Sequence, residues 1–205
     1  MAYSYTCKIR IYVTCDDTGA ILTNSDQDDS LHGHYDLQIT CPSEAARKAV
    51  GLAYQNTVFS YLKGEDGGGQ LWVFKADKTG TIFKNKKPYR LYYWSFTVKQ
   101  NQVSELKSKL ASCIAKTKHT EADYTWYKVV NKTFKKYNIA TANCFRMTAI
   151  LTNWLGNDTL LKIYNQYSTK EAYKKYDGHP YRQYFAWHMR QKYRNKWTGG
   201  TLFNT

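Results

Sequence analysis

The sequence predicts an α+β fold in which an antiparallel sheet packs against helices. Apolar and polar side chains alternate strictly over residues 4–15, which is typical of a half-buried strand. Residues 33–40 repeat this alternation, and residues 89–98 are rich in aromatic and β-branched side chains. Residues 101–116 instead place apolar side chains at the period of an amphipathic helix. We therefore expect strands to dominate residues 1–100 and helices to follow them.

The first two predicted strands each have two distinct faces, because successive side chains of a strand point to opposite sides. In the first strand the apolar face consists of Tyr5, Cys7, Ile9, Ile11 and Val13. In the second strand the polar face consists of His34, Asp36, Gln38 and Thr40. The apolar faces are the ones expected to be buried.

Local signals predict the other elements. Pro42 and Glu44 suit the first turn of a helix, whose buried side is expected to consist of Ala45, Ala46, Ala49, Val50 and Ala53. The glycine-rich segment 64–69 is a turn, since it lacks the Gly-Lys-Ser/Thr ending of a phosphate-binding loop. Further strands are predicted over residues 70–76 and 81–84. Further helices are predicted over residues 124–137, 144–155, 158–167, 168–176 and 181–197.

The chain of 205 residues is long enough for a substantial core, and three prolines with no long polar tract argue against a flexible linker. We predict a single domain over residues 1–205. Its parts are a strand-rich region (1–100), a helical region (101–167) and a basic, aromatic C-terminal extension (168–205). A hydrophobic fraction of 42% with 19 tyrosines excludes a disordered chain.

The formal net charge of +14 favours anionic partners. Nucleic acid, anionic lipid and an acidic polymer such as a cell wall all fit, and the charge alone does not distinguish them. A solvated basic surface that only keeps the protein soluble is the alternative. In the C-terminal extension, cations alternate with rings, which suits stacking on bases or sugars or packing of an amphipathic helix on the domain.

No cofactor or metal site is expected. The five cysteines form no Cys-x-x-Cys pair, and we expect them to be reduced. The acids of residues 16–31 lack the spacing of a calcium-binding EF-hand loop, and His179 and His188 have no ligand cluster nearby. The N-terminus has no signal-peptide core, and no segment is long and apolar enough to span a membrane. Synthesis in the cytoplasm, with any export by a signal-independent secretion system, is therefore expected.

Cys144 is the residue that most strongly suggests chemistry. It begins the helical run 144–155, where free backbone N–H groups and the helix dipole favour a thiolate, the nucleophilic form of cysteine. His34 projects from the second strand and could serve as the general base. His32, two residues earlier, is the competing histidine. In the alternative interpretation, Cys144 is a buried helical cysteine without a catalytic role.

Tyr137-Asn138, followed by Asn143-Cys144 and an apolar helix, resembles the nucleophile segment of the circularly permuted papain-like cysteine hydrolases. That group includes NlpC-type cell-wall peptidases and lecithin:retinol acyltransferase-like enzymes, and its histidine strand precedes the cysteine helix. The resemblance implies a permuted papain-like architecture with Cys144 and His34 as the catalytic pair. It also implies a polar residue that orients the imidazole, for which Asp36 is our choice and Gln70 the alternative.

The resemblance implies cleavage of amide bonds, most plausibly in peptidoglycan peptides, by an antibacterial secreted effector. An immunity or inhibitor protein and a component of a secretion machine would then be partners. A phospholipid-directed acyl hydrolase or acyltransferase of the same fold is a close variant. Two other classes stay open: a basic module that binds nucleic acid, and a secreted interaction protein without catalysis.

Overall fold

The computed structural model describes residues 2–21, 33–84, 88–139, 141–167 and 186–203. Within them the chain forms an α+β fold built on one eight-stranded antiparallel sheet, so the predicted fold class is confirmed at this level. The strands are β1 Ser4–Thr14, β2 His34–Thr40, β3 Asn56–Lys63, β4 Gly69–Lys75, β5 Tyr89–Lys99, β6 Ile114–Thr120, β7 Tyr124–Val129 and β8 Thr198–Phe203. Across the sheet they run in the order β6-β7-β4-β3-β2-β1-β5-β8.

Helices accompany this sheet in the described residues. They are α1 Glu44–Ala49, α2 Thr79–Ile82, α3 Gln100–Cys113, α4 Cys144–Trp154, α5 Thr159–Tyr167 and α6 Ala186–Lys192. None of the described helices combines the length and the apolar character needed to cross a membrane.

One face of the sheet, which we call the covered face, packs against α1, α3, α4, α5 and α6. The predicted apolar face of β1 lies here, and its side chains are almost completely buried. Leu106 of α3 and Met147 of α4 contact one half of this core, whereas Phe145 of α4 and Met189 of α6 contact the other half. Burial of this apolar surface is the main force that holds the two layers together.

The opposite face, which we call the open face, has less cover. A short segment, residues 76–83, lies over its centre and packs Phe83 against Tyr12, Phe74 and Tyr89. Thr79 of this segment accepts a hydrogen bond from the guanidinium of Arg10 at 3.0 Å. Side chains that the sequence pattern assigns to a polar face, such as Arg10 and Asp36, are therefore buried, and β1 is not half-buried over these residues as predicted.

Several predicted elements are wrong. Residues 124–129 form β7 and not a helix, and residues 114–120 form the unpredicted edge strand β6, so the region 101–167 is not purely helical. β3 and β8 were also not predicted. Residues 81–84 do not form a strand: residues 81 and 82 belong to the last turn of α2, and residues 83 and 84 form a turn. The predicted helix over residues 168–176 lies outside the described residues.

Candidate functional site

The local structure around Cys144 matches the sequence prediction. α4 begins at Cys144, and the side chain of Asn143 caps the helix by accepting a hydrogen bond from the backbone N–H of Arg146 at 2.9 Å. The sulfur lies beneath the sheet, where hydrogen bonds from the backbone N–H of Tyr35, the hydroxyl of Tyr137 and the first N–H groups of α4 lower the pKa of its thiol. The helix start is therefore a local property of the sequence.

The environment of the sulfur differs from that of a catalytic thiol. Cys144 is only 8% exposed and belongs to the core cluster of the covered face. Burial raises the pKa of its thiol to about 11, and the hydrogen bonds from Tyr35 and Tyr137 lower it by less than burial raises it. At neutral pH the sulfur is a neutral thiol and not a nucleophilic thiolate.

His34 lies on the other side of the sheet, so the predicted pairing of Cys144 with His34 is wrong. Within β2, Tyr35 contacts the Cys144 cluster on the covered face, and His34 therefore points to the open face. There its ring centroid lies 5.2 Å from that of Tyr12 and 5.6 Å from that of Phe83. The two proposed catalytic groups are separated by the backbone of the sheet.

The hydrogen bond of His34 to Ser60 confirms this placement. Nε2 of His34 lies 2.6 Å from Oγ of Ser60 on the neighbouring strand β3. Ser60 is fully buried, so this pair offers no accessible nucleophile. The competing histidine, His32, lies outside the described residues.

Asp36 does not orient the imidazole of His34, which corrects the third predicted site residue. Its carboxylate accepts hydrogen bonds from Nε of Arg10 at 2.6 Å and from Nη2 at 3.0 Å. The hydroxyl of Tyr12 donates a further bond at 2.5 Å. Arg10 and Asp36 are 1% and 0% exposed, so they form a buried ion pair beneath residues 76–83. Asp36 is therefore a structural residue.

Gln70, the alternative third residue, is also excluded from this role. It lies on β4, two strands away from β2, and its side-chain oxygen accepts a hydrogen bond from the indole N–H of Trp72 at 2.9 Å. Trp72 itself belongs to a different group of side chains, an aromatic cluster on the open face.

An aromatic cluster lies on the open face where β4, β7 and β6 meet. It consists of His119, Trp126, Trp72 and Tyr124. Trp126 stands directly opposite Trp72 in one strand pair and opposite His119 in the other. The Trp72 and Tyr124 rings stack at 4.0 Å with 4° between their planes, and the His119 and Trp126 rings stack at 3.8 Å with 8°.

The rings of this aromatic cluster reach solvent. His119 is exposed, and Trp72, Tyr124 and Trp126 are half-buried. Large apolar groups that remain at the surface in one group mark interaction sites more often than isolated ones do. Sequence reasoning missed the cluster because it assigned residues 124–137 to a helix. The usable signal was the run of aromatic and β-branched side chains over residues 124–129, a composition typical of a strand.

Positive charge is unevenly distributed along the chain. Residues 124–205 carry 14 lysines and arginines against three acids, whereas residues 1–123 carry 16 against 13. Exposed Lys128 shares the strand face of Trp126 and is two residues away, which is about 7 Å. Its ammonium group lies 3.6 Å from Asp66.

A basic corner adjoins Lys128 at the β3–β4 turn. The loop after β7 pairs with this turn, since Gly69 N–H donates to the carbonyl of Lys135 and Tyr137 N–H donates to the carbonyl of Gly67. This brings exposed lysines of the loop to the end of β7 that carries Lys128. The basic corner consists of Lys128, Lys132, Lys135 and Lys136.

No group of three or more histidine, cysteine, aspartate or glutamate side chains suited to holding a metal ion occurs among the described residues. In comparisons with known proteins, no family model, no curated protein and no solved structure matched this chain.

Proposed function

We propose that this protein binds single-stranded nucleic acid through the aromatic cluster, with the basic corner contacting the phosphates. The single observation that carries the proposal is the group of four solvent-reaching rings on the open face of a strongly basic protein. Proteins that bind single strands combine stacking side chains with a positively charged surface that follows the backbone.

The arrangement of the rings favours single strands over duplexes. The bases of a duplex are stacked on each other, so their faces are closed to a protein side chain. An unpaired strand can place its bases on aromatic rings, and each such contact is worth about 1–3 kcal/mol. Trp72 and Trp126 are the largest rings of the cluster, and we expect them to supply most of this energy.

The charge distribution supports an anionic ligand over a neutral one. Sugars also stack on aromatic side chains, but a neutral glycan makes no use of the basic corner. Each phosphate neutralised by a lysine releases counterions, so the affinity for a single strand should fall as salt rises. A neutral glycan would show no such dependence.

The first experiment compares the wild type with the variant Trp126→Leu, using fluorescence anisotropy of a labelled 12-nucleotide strand. We expect the variant to bind about 5- to 150-fold more weakly, the equivalent of about 1–3 kcal/mol. A matched control is Trp154→Leu, because Trp154 packs against the core of the covered face, away from the aromatic cluster. The control should bind normally while it stays folded.

Two results would reject the proposal. One is equal affinity of Trp126→Leu and the wild type while both are folded. The other is a wild type that prefers a duplex, or a neutral glycan, to the single strand. Lysine variants add an independent test: Lys135→Gln with Lys136→Gln should weaken binding of all sequences alike and flatten the salt dependence.

A thiol hydrolase with a permuted papain-like architecture, acting on peptidoglycan peptides, is the second candidate. It is supported by the position of Cys144 as the first residue of α4. Its catalytic base would have to come from a residue other than His34, and its sulfur would have to become accessible. Expression of the wild type and Cys144→Ala in a bacterial periplasm tests it: lysis that depends on the sulfur supports hydrolysis, and equal behaviour rejects it.

A further inference from the structure

A second cationic surface lies on the covered face, at the C-terminal end of the chain. α6 packs on β1, and a short 3-10 turn over residues 194–196 follows it. Met189 and Trp197 anchor this unit, since both are buried in the core. Three side chains of the unit form what we call the C-terminal cationic patch: Arg190, Arg194 and Lys196.

Arg190 has an incompletely satisfied guanidinium. It lies over the ring of Tyr92 at 4.7 Å, a cation–π contact. Its Nε–H is shielded from solvent and has no hydrogen-bond acceptor within the part of the chain that the structure describes. No carboxylate among the described residues pairs with it. A buried polar group without a partner destabilises the fold, and an anion that accepts a hydrogen bond from it would remove this cost.

The described elements that carry Arg190 and lie directly beneath it contain no carboxylate to compete with an outside anion. Residues 186–203 include no aspartate or glutamate, and neither do β1 and β5, the strands beneath them. Arg194 follows Arg190 by four residues: α6 ends at Lys192, Tyr193 leaves the helical conformation (φ −116°, ψ 33°) while its N–H still bonds to the carbonyl of Met189, and Arg194 opens the 3-10 turn. Arg190 lies in the last turn of α6, so the two arginines are close along the chain. Arg194 and Lys196 are both exposed.

We propose that the C-terminal cationic patch is a second anion-binding site, and that its ligand is a phosphate group of a nucleic-acid backbone. Arginine suits this ligand because its planar donors match the oxygens of phosphate. The identity of the ligand as nucleic acid rests on the proposed function, whereas the anion site itself rests on Arg190 and its surroundings.

The two sites are far apart. The aromatic cluster includes Trp72 of β4, whereas Arg190 of the patch lies over Tyr92 of β5. β5 lies four strands from β4, which is about 19 Å across the sheet. They also occupy opposite faces. A short strand therefore reaches only one of them, so one protein molecule should bind two short strands, or contact two separate segments of a long one.

The test is an NMR titration of the whole chain with tetrathymidylate. The side-chain Nε–H signal of Arg190 reports the patch, and the indole N–H signals of Trp72 and Trp126 report the aromatic cluster. We expect both sets to shift in the wild type. In Arg190→Gln with Arg194→Gln only the indole signals should shift, and in Trp72→Leu with Trp126→Leu only the arginine signal should shift.

These outcomes separate failure of this inference from failure of the proposed function. An Arg190 signal that stays in place while the indole signals shift overturns the second site and leaves the first. The opposite pattern retains the patch and rejects the aromatic cluster. A parallel titration with vesicles of phosphatidylglycerol tests whether the patch binds an anionic lipid headgroup instead. An Arg190 signal that shifts with vesicles and not with tetrathymidylate overturns the assignment of the ligand to nucleic acid.

Binding of a long single strand supplies a measurement that does not depend on Arg190 being well packed. Arg194 is exposed, so Arg194→Gln should fold normally. Loss of one phosphate contact should reduce the slope of log affinity against log salt by about 0.7. The control is Lys48→Gln, an exposed lysine on α1. Equal slopes for Arg194→Gln and the control would count against the patch.

Discussion

The replacement Asp36→Asn asks whether a residue predicted to be catalytic is structural instead. The carboxylate of Asp36 is completely buried and bonds to Nε and Nη2 of Arg10 and to the hydroxyl of Tyr12. Asparagine keeps the shape and removes the charge, so the guanidinium of Arg10 loses its buried counter-ion. Removal of one member of a buried ion pair costs about 3–5 kcal/mol.

The assay is equilibrium unfolding in urea, followed by tryptophan fluorescence. With an m-value of about 2 kcal/mol/M, the expected loss lowers the urea midpoint by about 1.5–2.5 M. A protein of this kind has a total stability of about 5–15 kcal/mol, so the variant should be measurable at low temperature. The size of the loss follows from burial, since the same chemistry at the surface is worth little.

The matched control is Glu44→Gln. Glu44 pairs with Arg47 at 2.6 Å, yet its side chain is 56% exposed, so its loss should cost less than about 1 kcal/mol. A second comparison replaces both members of the buried pair, Arg10→Met with Asp36→Leu, which should recover most of the stability. If Asp36→Asn is no more damaging than Glu44→Gln, the structural role assigned to Asp36 is wrong.

Three further predictions concern packing, capping and ionisation. Gly69→Ala should destabilise the fold by about 1–3 kcal/mol in urea, because its Cβ would overlap the carbonyl oxygen of Phe134. Gly80→Ala, whose Cβ meets nothing nearer than 3.4 Å, is the control and should be neutral or slightly stabilising. Asn143→Ala should cost at least about 1 kcal/mol, because it removes both the cap of α4 and the hydrogen bond from Nδ2 to the carbonyl of Ile139, whereas Asn143→Ser should retain the cap; equal losses would refute the capping role. The neutral thiol of Cys144 stabilises the fold below the pKa of an unfolded cysteine, about 8.5, and this contribution disappears as pH rises through its folded pKa of about 11. Between pH 8 and pH 11 the free energy of unfolding of the wild type should therefore fall by up to about 3 kcal/mol more than that of Cys144→Ala. In the folded protein, iodoacetamide should label Cys144 slowly at pH 8. Fast labelling would contradict its burial.

Strong local patterns led to correct elements in this chain. The alternation in β1 and β2 and the start of α4 after Asn143 depend on nearest neighbours along the chain, and the structure confirms them. The helix predicted over residues 124–137 was wrong for a physical reason. Their aromatic and apolar side chains fit a helical period, but residues 124–129 pair with the exposed edge of β4, a contact distant in sequence.

The candidate site likewise has features that local sequence predicts and features that depend on contacts distant in sequence. Sequence spacing identified Cys144 and His34 as chemically interesting, but spacing says nothing about which face of a sheet a helix packs against. The structure puts α4 on the face opposite to His34. The aromatic cluster brings together His119, Trp72 and Trp126 from three strands, and no single segment of the sequence contains that arrangement.

The sequence by itself determined the fold class, the two faces of each leading strand, the start of the Cys144 helix and the strongly positive charge. Those properties follow from local periodicity, capping and composition. Only the tertiary structure decided that Arg10 and Asp36 are buried together, that Cys144 and His34 are separated, and that rings from β4, β6 and β7 meet at the surface. The physical reason is that burial and proximity depend on strand order and on the side chosen by each helix, both of which are set by contacts distant in sequence.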